Sequence, residues 1–133
     1  METSEPKNLV PRRKVCLIDD EADIREIYTV GLTTEGFEVL PAENGEAGLR
    51  CIREDRPDIV VLDLQMPVLD GLDVLKTLTT DKSIPKIPVI ILSNTDNEET
   101  FRKAGEFNAS FFFVKALSHP KKVAGAIREV LSS

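Results

Sequence analysis

Four short apolar runs in this sequence are each followed directly by a residue with a polar or charged side chain. The runs cover 15–18, 59–62, 89–92 and 111–114, and the residues that follow them are Asp19, Asp63, Ser93 and Lys115. Apolar runs of this length predict buried strands, and open α/β sheets bind ligands at the carboxyl ends of their strands. The sequence therefore predicts a polar site at one edge of a sheet.

Predicted strands alternate with helical patterns five times along the chain. We expect strands at 14–19, 37–41, 58–63, 87–92 and 110–115. Strict alternation of strands and helices implies right-handed crossovers between neighbouring parallel strands. The pattern therefore predicts one α/β domain built on a five-stranded parallel sheet.

Turn and capping residues predict where the five helices begin. They are expected after Asp20, from Asn44–Gly45, after Asp70–Gly71, from about Asp96 to Phe107, and from His119–Pro120. In the first helix Ile24, Ile27, Tyr28 and Leu32 recur at helical spacing, which predicts an inward face, and Gly36 is expected to end the helix. Asn108 is expected to end the fourth helix in a left-handed conformation.

Composition limits the classes of function. The chain has 133 residues, is 41% hydrophobic and carries a formal charge of −6, which predicts a single globular domain that does not bind nucleic acid directly. Cys16 and Cys51 show neither a disulfide framework nor metal-ligand spacing. No apolar run has the length of a membrane span, so we expect a cytoplasmic protein with no membrane contact, a flexible leader at 1–13 and a folded domain at 14–133.

The residue types at the predicted sheet edge favour a magnesium site that accepts phosphate. Two carboxylates about 4 Å apart repel by roughly 4 kcal/mol at an effective dielectric of about 20, so their convergence requires a cation. Asp20, Asp63 and Asp19 offer hard oxygen ligands, and an open site with few carboxylates suits Mg²⁺. Lys115 is a compact donor that can pair with a carboxylate and then with a phosphate oxygen.

Taken singly, these residues have simpler interpretations. Asp20 could cap a helix or form a turn, and Ser93 could also be a cap. Lys115 alone would be a solvated side chain, and 111–113 would be core. The combination favours a site, because four suitable side chains end four predicted strands at one edge.

The sequence resembles the receiver domain of two-component response regulators from Lys14 to Leu131. The stretch 58–72 is similar to the phosphoacceptor segment of that family, and 17–21, 92–93 and 112–115 follow the family in order and spacing. The resemblance implies a doubly wound (βα)5 fold of the flavodoxin-like (CheY-like) type, with a five-stranded parallel sheet in the order 2-1-3-4-5.

The resemblance also implies the metal site and its chemistry. Asp63 would be the phosphoacceptor that takes a phosphoryl group from a phosphohistidine in a Mg²⁺-dependent reaction. Asp20 and Asp63 would bind Mg²⁺ through their carboxylates and Gln65 through its backbone carbonyl, with Asp19 acting through a water.

Further roles follow from the same resemblance. Lys115 would pair with phosphoryl oxygens, Ser93 would move to hydrogen-bond one of them, and Phe112 would be the aromatic switch residue. The expected donor is a sensor histidine kinase or a histidine phosphotransfer protein, and the expected output is a downstream protein or domain. A homodimer through the fourth helix, fifth strand and fifth helix is a further expectation, and the only chemistry expected is the domain's own phosphorylation and dephosphorylation.

Four positions are expected to tune the site. Gln65 and Thr95 lie at positions that govern phosphoryl lifetime in receivers. Ala116 replaces the usual proline, whose cis peptide orients the loop, and Asn94 replaces a small residue, which predicts narrower access to Asp63.

Three other classes of protein remain as alternatives. One is a degenerate receiver that works without phosphorylation. A haloacid-dehalogenase-like phosphatase would need a second carboxylate where Gln65 lies. A flavodoxin-like FMN binder would need a loop rich in Ser, Thr and Gly where 19–21 is acidic.

Overall fold

The computed structural model describes residues 12–66, 69–94, 98–107 and 109–132, and within them five strands alternate with five α-helices. The strands are β1 Lys14–Ile18, β2 Glu38–Ala42, β3 Ile59–Leu62, β4 Val89–Ser93 and β5 Phe111–Val114. The helices are α1 Ala22–Thr34, α2 Gly45–Asp55, α3 Gly71–Thr80, α4 Glu98–Glu106 and α5 Pro120–Leu131. The predicted alternation of strands and helices is confirmed.

All neighbouring strands pair in parallel, and their order in the sheet is β2-β1-β3-β4-β5. Successive residues of a strand point to opposite faces, so Ile18 packs in one core cluster and Leu17 in the other. The first cluster includes Ile52 of α2, and the second includes Leu32 of α1 and Ile127 of α5. Helices cover both faces, which is why the central strands are continuously apolar.

The strand register brings the predicted polar residues to the same edge. Ile18 pairs with Leu62, so Asp19 and Asp63 follow neighbouring strands at the same level. Ser93 pairs with Val114, so Lys115 leaves the sheet directly beside the end of β4. The order of apolar and polar residues in the sequence therefore fixes which side chains meet.

Three of the predicted helix starts are confirmed by capping hydrogen bonds. Asn44 Oδ1 accepts the Ala47 N–H at 2.8 Å, and Asp70 Oδ1 accepts the Asp73 N–H at 3.0 Å. His119 Nδ1 caps α5, whose first residue is Pro120. These bonds satisfy N–H groups that have no partner inside the helix.

Gly36 has a φ of +101°, which ends α1 in the region that favours glycine. The predicted fourth-helix start near Asp96 and the predicted left-handed Asn108 lie outside the described residues, as do 1–11 of the predicted leader.

Two details of the sequence prediction are wrong. Ile27 is 54% exposed, because the buried stripe of α1 follows Tyr28 and Leu32 at four-residue spacing and Ile27 lies about 100° around the helix from Tyr28. Lys115 was expected to end the fifth strand but instead begins a short 3-10 turn, Lys115–Leu117. Of the described helices, none is long and apolar enough to cross a membrane.

Candidate functional site

Asp63 follows β3 and is buried, with 3% of its surface exposed. Its Oδ1 accepts hydrogen bonds from Ser93 Oγ and from the Gln65 N–H, each at 3.1 Å. Its Oδ2 lies 3.1 Å from Lys115 Nζ. Its own N–H donates to the Ile18 carbonyl at 2.9 Å, which extends the ladder between β1 and β3 by one step. Both carboxylate oxygens are therefore held in a fixed orientation.

The backbone at Asp63 is closely covered by the start of α3. The Gly71 N–H donates to the Leu64 carbonyl at 3.1 Å. A Cβ at Gly71 would lie 2.3 Å from the Asp63 carbonyl oxygen and 2.6 Å from Leu64 Cα, so this approach requires glycine. The packing of α3 thus positions the strand end that carries Asp63.

Asp19 lies beside Asp63 and is 1% exposed. Its Oδ1 accepts the Glu21 N–H at 2.8 Å, and its carbonyl accepts a hydrogen bond from Arg25 Nη1 at 2.7 Å. Its Oδ2 lies 2.8 Å from Lys115 Nζ but receives no hydrogen bond of proper angle from the described residues. This buried oxygen is held by charge attraction and retains unused capacity to accept a hydrogen bond.

A potential metal site is formed by three carboxylates. One oxygen from each of Asp19, Asp20 and Asp63 lies within 4.8 Å of the others, and Asp20 is the exposed member. The residue that precedes α1 is Glu21, which forms no side-chain cap, so Asp20 does not act as the helix cap that the simpler interpretation suggested. The cluster is therefore open to solvent on the Asp20 side.

Lys115 lies among three acidic side chains, and its own side chain is 2% exposed. Its Nζ lies 2.8 Å from Asp19 Oδ2, 2.5 Å from Glu21 Oε1 and 3.1 Å from Asp63 Oδ2. With Asp20, whose oxygen lies within 4.8 Å of oxygens of Asp19 and Asp63, the site holds four carboxylates and one ammonium. The site therefore has an excess of negative charge that a second cation would offset.

Burial raises the pKa of Asp63 above its ordinary value of 3.8, despite the Gln65 hydrogen bond and the Lys115 charge. Burial also raises the pKa of Asp19, against the attraction of the Lys115 ammonium 2.8 Å away. For Lys115 burial alone would lower the pKa, but the close contacts of its ammonium with the Asp19 and Glu21 carboxylates raise it above its ordinary value. Lys115 therefore stays charged, whereas burial disfavours the ionised forms of Asp19 and Asp63.

The sequence prediction missed two residues that hold Lys115 and its turn. Glu21 is not among the predicted site residues, yet its carboxylate contacts Lys115 while 55% of its side chain stays exposed. Its position directly after Asp20 is the one sequence feature that indicates a place at the site. Tyr28 is buried, and its hydroxyl donates to the Ser118 carbonyl after β5. No local pattern indicates this contact, because Tyr28 and Ser118 are 90 residues apart.

Phe112, the predicted switch residue, lies on β5. It is 38% exposed and packs edge-to-face against Phe101 of α4, with ring centroids 5.3 Å apart. The simpler expectation that all of 111–113 is core is therefore wrong at Phe112. Its ring is placed between α4 and solvent.

The predicted tuning positions lie in different settings. Gln65 is exposed, and Thr95 lies outside the described residues. Asn94 Oδ1 accepts the Ala116 N–H at 3.0 Å, so the Asn94 amide is directed toward the turn after β5. No peptide bond in the described part of the chain is cis, which includes the bond between Lys115 and Ala116.

Comparisons with known proteins agree with this architecture. Residues 15–128 match the response regulator receiver domain family. A probable transcriptional regulator ycf27 of Porphyridium aerugineum is 38% identical over 120 residues, which cover 90% of this chain and 48% of that protein. The DNA-binding response regulator MtrA of Mycolicibacterium paratuberculosis is 32% identical over 117 residues, which cover 88% of this chain and 50% of that protein.

A solved structure of a response regulator receiver domain protein from Clostridium thermocellum is also similar. Its TM-score is 0.81 at 29% identity, over 90% of this chain and 94% of that chain. This chain belongs to the response regulator receiver domain family of two-component systems. Membership sets aside the phosphatase and FMN-binding alternatives. The chain spans about half the length of the curated relatives described above.

Proposed function

We propose that this receiver is phosphorylated on Asp63 by a histidine kinase or a histidine phosphotransfer protein. The observation that supports this most directly is the environment of Asp63. Its buried carboxylate is held by Ser93 and Lys115, and it shares an acidic cluster with Asp19 and Asp20. Phosphoryl transfer to an aspartate uses a carboxylate nucleophile, a fixed ammonium and a cation site.

In the proposed reaction an Asp63 carboxylate oxygen attacks the phosphorus of a phosphohistidine. A P–O bond forms, the P–N bond breaks, and the histidine nitrogen leaves with the electron pair. Lys115, already 3.1 Å from Asp63 Oδ2, then pairs with a phosphoryl oxygen. Ser93 transfers its hydrogen bond from Asp63 Oδ1 to another phosphoryl oxygen. The protein contributes positioning and charge neutralisation to a loose, in-line transfer.

The donor set fits Mg²⁺. Asp20 and Asp63 are proposed as carboxylate ligands, the Gln65 backbone carbonyl as a third ligand, and Asp19 as the acceptor that orients a metal-bound water. These are hard oxygen donors, and one side of the cluster is open to solvent, as a partly hydrated Mg²⁺ requires. When bound, Mg²⁺ would neutralise charge on the phosphoryl group and relieve the repulsion among the carboxylates.

The proposed output is a shift between two arrangements of the segment after β4 and of β5. Ser93 would report phosphorylation to this segment, and Phe112 would change its packing against Phe101. The face formed by α4, β5 and α5 is the proposed partner and homodimer surface. MtrA is named as DNA-binding, so we also propose that this receiver belongs to a longer protein with a DNA-binding output domain. We further propose that this protein lies in the cytoplasm.

The test uses the chain with Mg²⁺ and a small-molecule phosphodonor such as acetyl phosphate. The parent is expected to gain the mass of one phosphoryl group, and Asp63→Asn is expected to gain none. Asp73→Asn, an exposed change on α3, is the matched control and should behave as the parent. An unmodified parent that also fails to accept phosphate from a histidine kinase would instead support the degenerate, phosphorylation-independent receiver.

The metal proposal gives a separate prediction for Asp20. Asp20→Asn is expected to abolish most of the stabilisation by Mg²⁺, because it replaces the exposed, charged carboxylate with a neutral amide without disturbing the Lys115 contacts. In the parent, a Mg²⁺ concentration about 100-fold above Kd should add about 2.7 kcal/mol to the free energy of unfolding. Without Mg²⁺ the variant should be at least as stable as the parent, since one repelling charge is gone.

Thermal unfolding with Mg²⁺ or with EDTA measures both effects. Asp23→Asn, an exposed carboxylate on the first turn of α1, is the matched control and should keep the full Mg²⁺ response. An equal Mg²⁺ response in Asp20→Asn and the parent would rule out Asp20 as a ligand.

A further inference from the structure

A hydrogen bond between side chain and backbone joins the two loops that flank Asp63. Asn94 Oδ1 accepts the Ala116 N–H at 3.0 Å, across 22 residues of sequence. Asn94 directly follows the last residue of β4, and Ala116 is the second residue of the 3-10 turn after β5. Both residues are exposed, so burial does not force this contact.

The bond has a local cause. Ser93 pairs with Val114 in the last register step between β4 and β5, so the backbone ladder ends there. The first N–H groups of a 3-10 turn have no partner within the turn, and Ala116 carries one of them. The Asn94 amide oxygen supplies the missing acceptor, whereas a proline at 116 would have no N–H to donate. The two departures from the receiver pattern therefore form one interaction.

The residues that the bond joins are direct neighbours of the groups that hold Asp63. Ser93, before Asn94, donates to Asp63 Oδ1 at 3.1 Å. Lys115, before Ala116, lies 3.1 Å from Asp63 Oδ2. A change in the position of either loop would be transmitted to the other through the Asn94 amide.

We propose that Asn94 is a positioning residue that couples Ser93 to Lys115 through the Ala116 N–H. The coupling brings the hydroxyl and the ammonium to a phosphoryl group on Asp63 as one unit. This role rests on the proposed phosphorylation of Asp63. The hydrogen bond itself can be tested without any phosphoryl group.

The first test is hydrogen exchange of the Ala116 amide, followed by NMR on the chain without metal or phosphodonor. Asn94→Ala should accelerate exchange about two- to tenfold, the range that one exposed hydrogen bond supports. Asn94→Asp keeps an acceptor oxygen at the same reach and should restore slow exchange. Leu117→Ala, in the same turn and with its side chain 78% exposed, is the control and should leave the rate unchanged. Equal rates in Asn94→Ala and the parent would overturn the coupling.

The second test is a double-mutant cycle on the affinity for beryllofluoride in the presence of Mg²⁺. Asn94→Ala and Ala116→Pro should each weaken binding about threefold, and the double variant should be no weaker than either, since all three lack the same bond. A ninefold loss in the double variant, the product of two independent threefold losses, would overturn the proposal. If Ala116→Pro does not fold, the positioning role of Asn94 is tested by the exchange rates and beryllofluoride affinities of Asn94→Ala and Asn94→Asp.

The failures of the two proposals are distinct. A parent that binds no beryllofluoride at Asp63 would overturn the proposed function. A parent that binds it, together with an Asn94→Ala variant of equal affinity, would overturn only the positioning role of Asn94.

Discussion

Lys115→Met is expected to lower the free energy of unfolding by about 3 kcal/mol in the absence of metal, because it leaves buried carboxylates without their cation. Asp19 and Asp63 are almost fully buried and lie 2.8 and 3.1 Å from the ammonium that the change removes. Methionine has a similar length, so the loss is mainly one of charge. Mg²⁺ should recover a large part of the stability, since a divalent cation at the same cluster replaces the missing charge.

Urea unfolding with Mg²⁺ or with EDTA measures both parts of this expectation. Lys121→Met, an exposed lysine at the start of α5, is the matched control and should change the unfolding free energy by less than about 0.5 kcal/mol. A Lys115→Met variant as stable as the parent in EDTA would show that the buried carboxylates do not need the ammonium.

Lowering the pH should reduce the loss in unfolding free energy that Lys115→Met causes. Burial already raises the pKa of Asp19 and Asp63 in the parent, and loss of the neighbouring ammonium raises both further. A group with a raised folded pKa binds more protons when folded than when unfolded, so its penalty falls as the pH drops through the folded pKa. The difference in unfolding free energy between variant and parent is therefore expected to shrink as the pH falls through the raised folded pKa values of Asp19 and Asp63 toward the ordinary value of 3.8.

The sheet edge was predictable because strand polarity and register leave few choices. Once 15–18 and 59–62 are neighbouring parallel strands, Asp19 and Asp63 must meet, and the same holds for Ser93 and Lys115. Strand pairing and register, with each residue's place at the end of its strand, bring these residues together. The chemistry of their side chains then indicates a cation and an anion as ligands, before any contact is known.

Contacts made by side chains across loops were not predictable in the same way. Glu21 reaches Lys115 and Asn94 reaches Ala116 only because the turn after β5 folds back toward α1 and β4. The sequence pattern sets where each residue sits along the chain, whereas the direction of an exposed side chain depends on which partner the tertiary structure offers. Ile27 shows the same limit, because helical spacing does not fix how far α1 is rotated over the sheet.

Gly71 connects the fold to the site, since it permits α3 to begin against the backbone of Asp63. Gly71→Ala is expected to destabilise the domain by about 3 kcal/mol, the upper part of the range for overpacking. The added Cβ would meet backbone atoms, the Asp63 carbonyl oxygen at 2.3 Å and Leu64 Cα at 2.6 Å, which cannot rotate away as a side chain would. Relief of the clash must move the start of α3 or the end of β3, so the proposed phosphorylation of Asp63 should also slow.

Gly125→Ala is the matched control, because Gly125 is an exposed residue inside α5 with nothing within 4 Å of an added Cβ. Alanine has the higher helix propensity, so this change is expected to stabilise the domain by about 0.5–1 kcal/mol. Chemical denaturation of both variants should therefore give effects of opposite sign for the same substitution. A stabilising Gly71→Ala would show that α3 can withdraw from Asp63 at little cost, and that its close approach is not what positions this proposed phosphoacceptor.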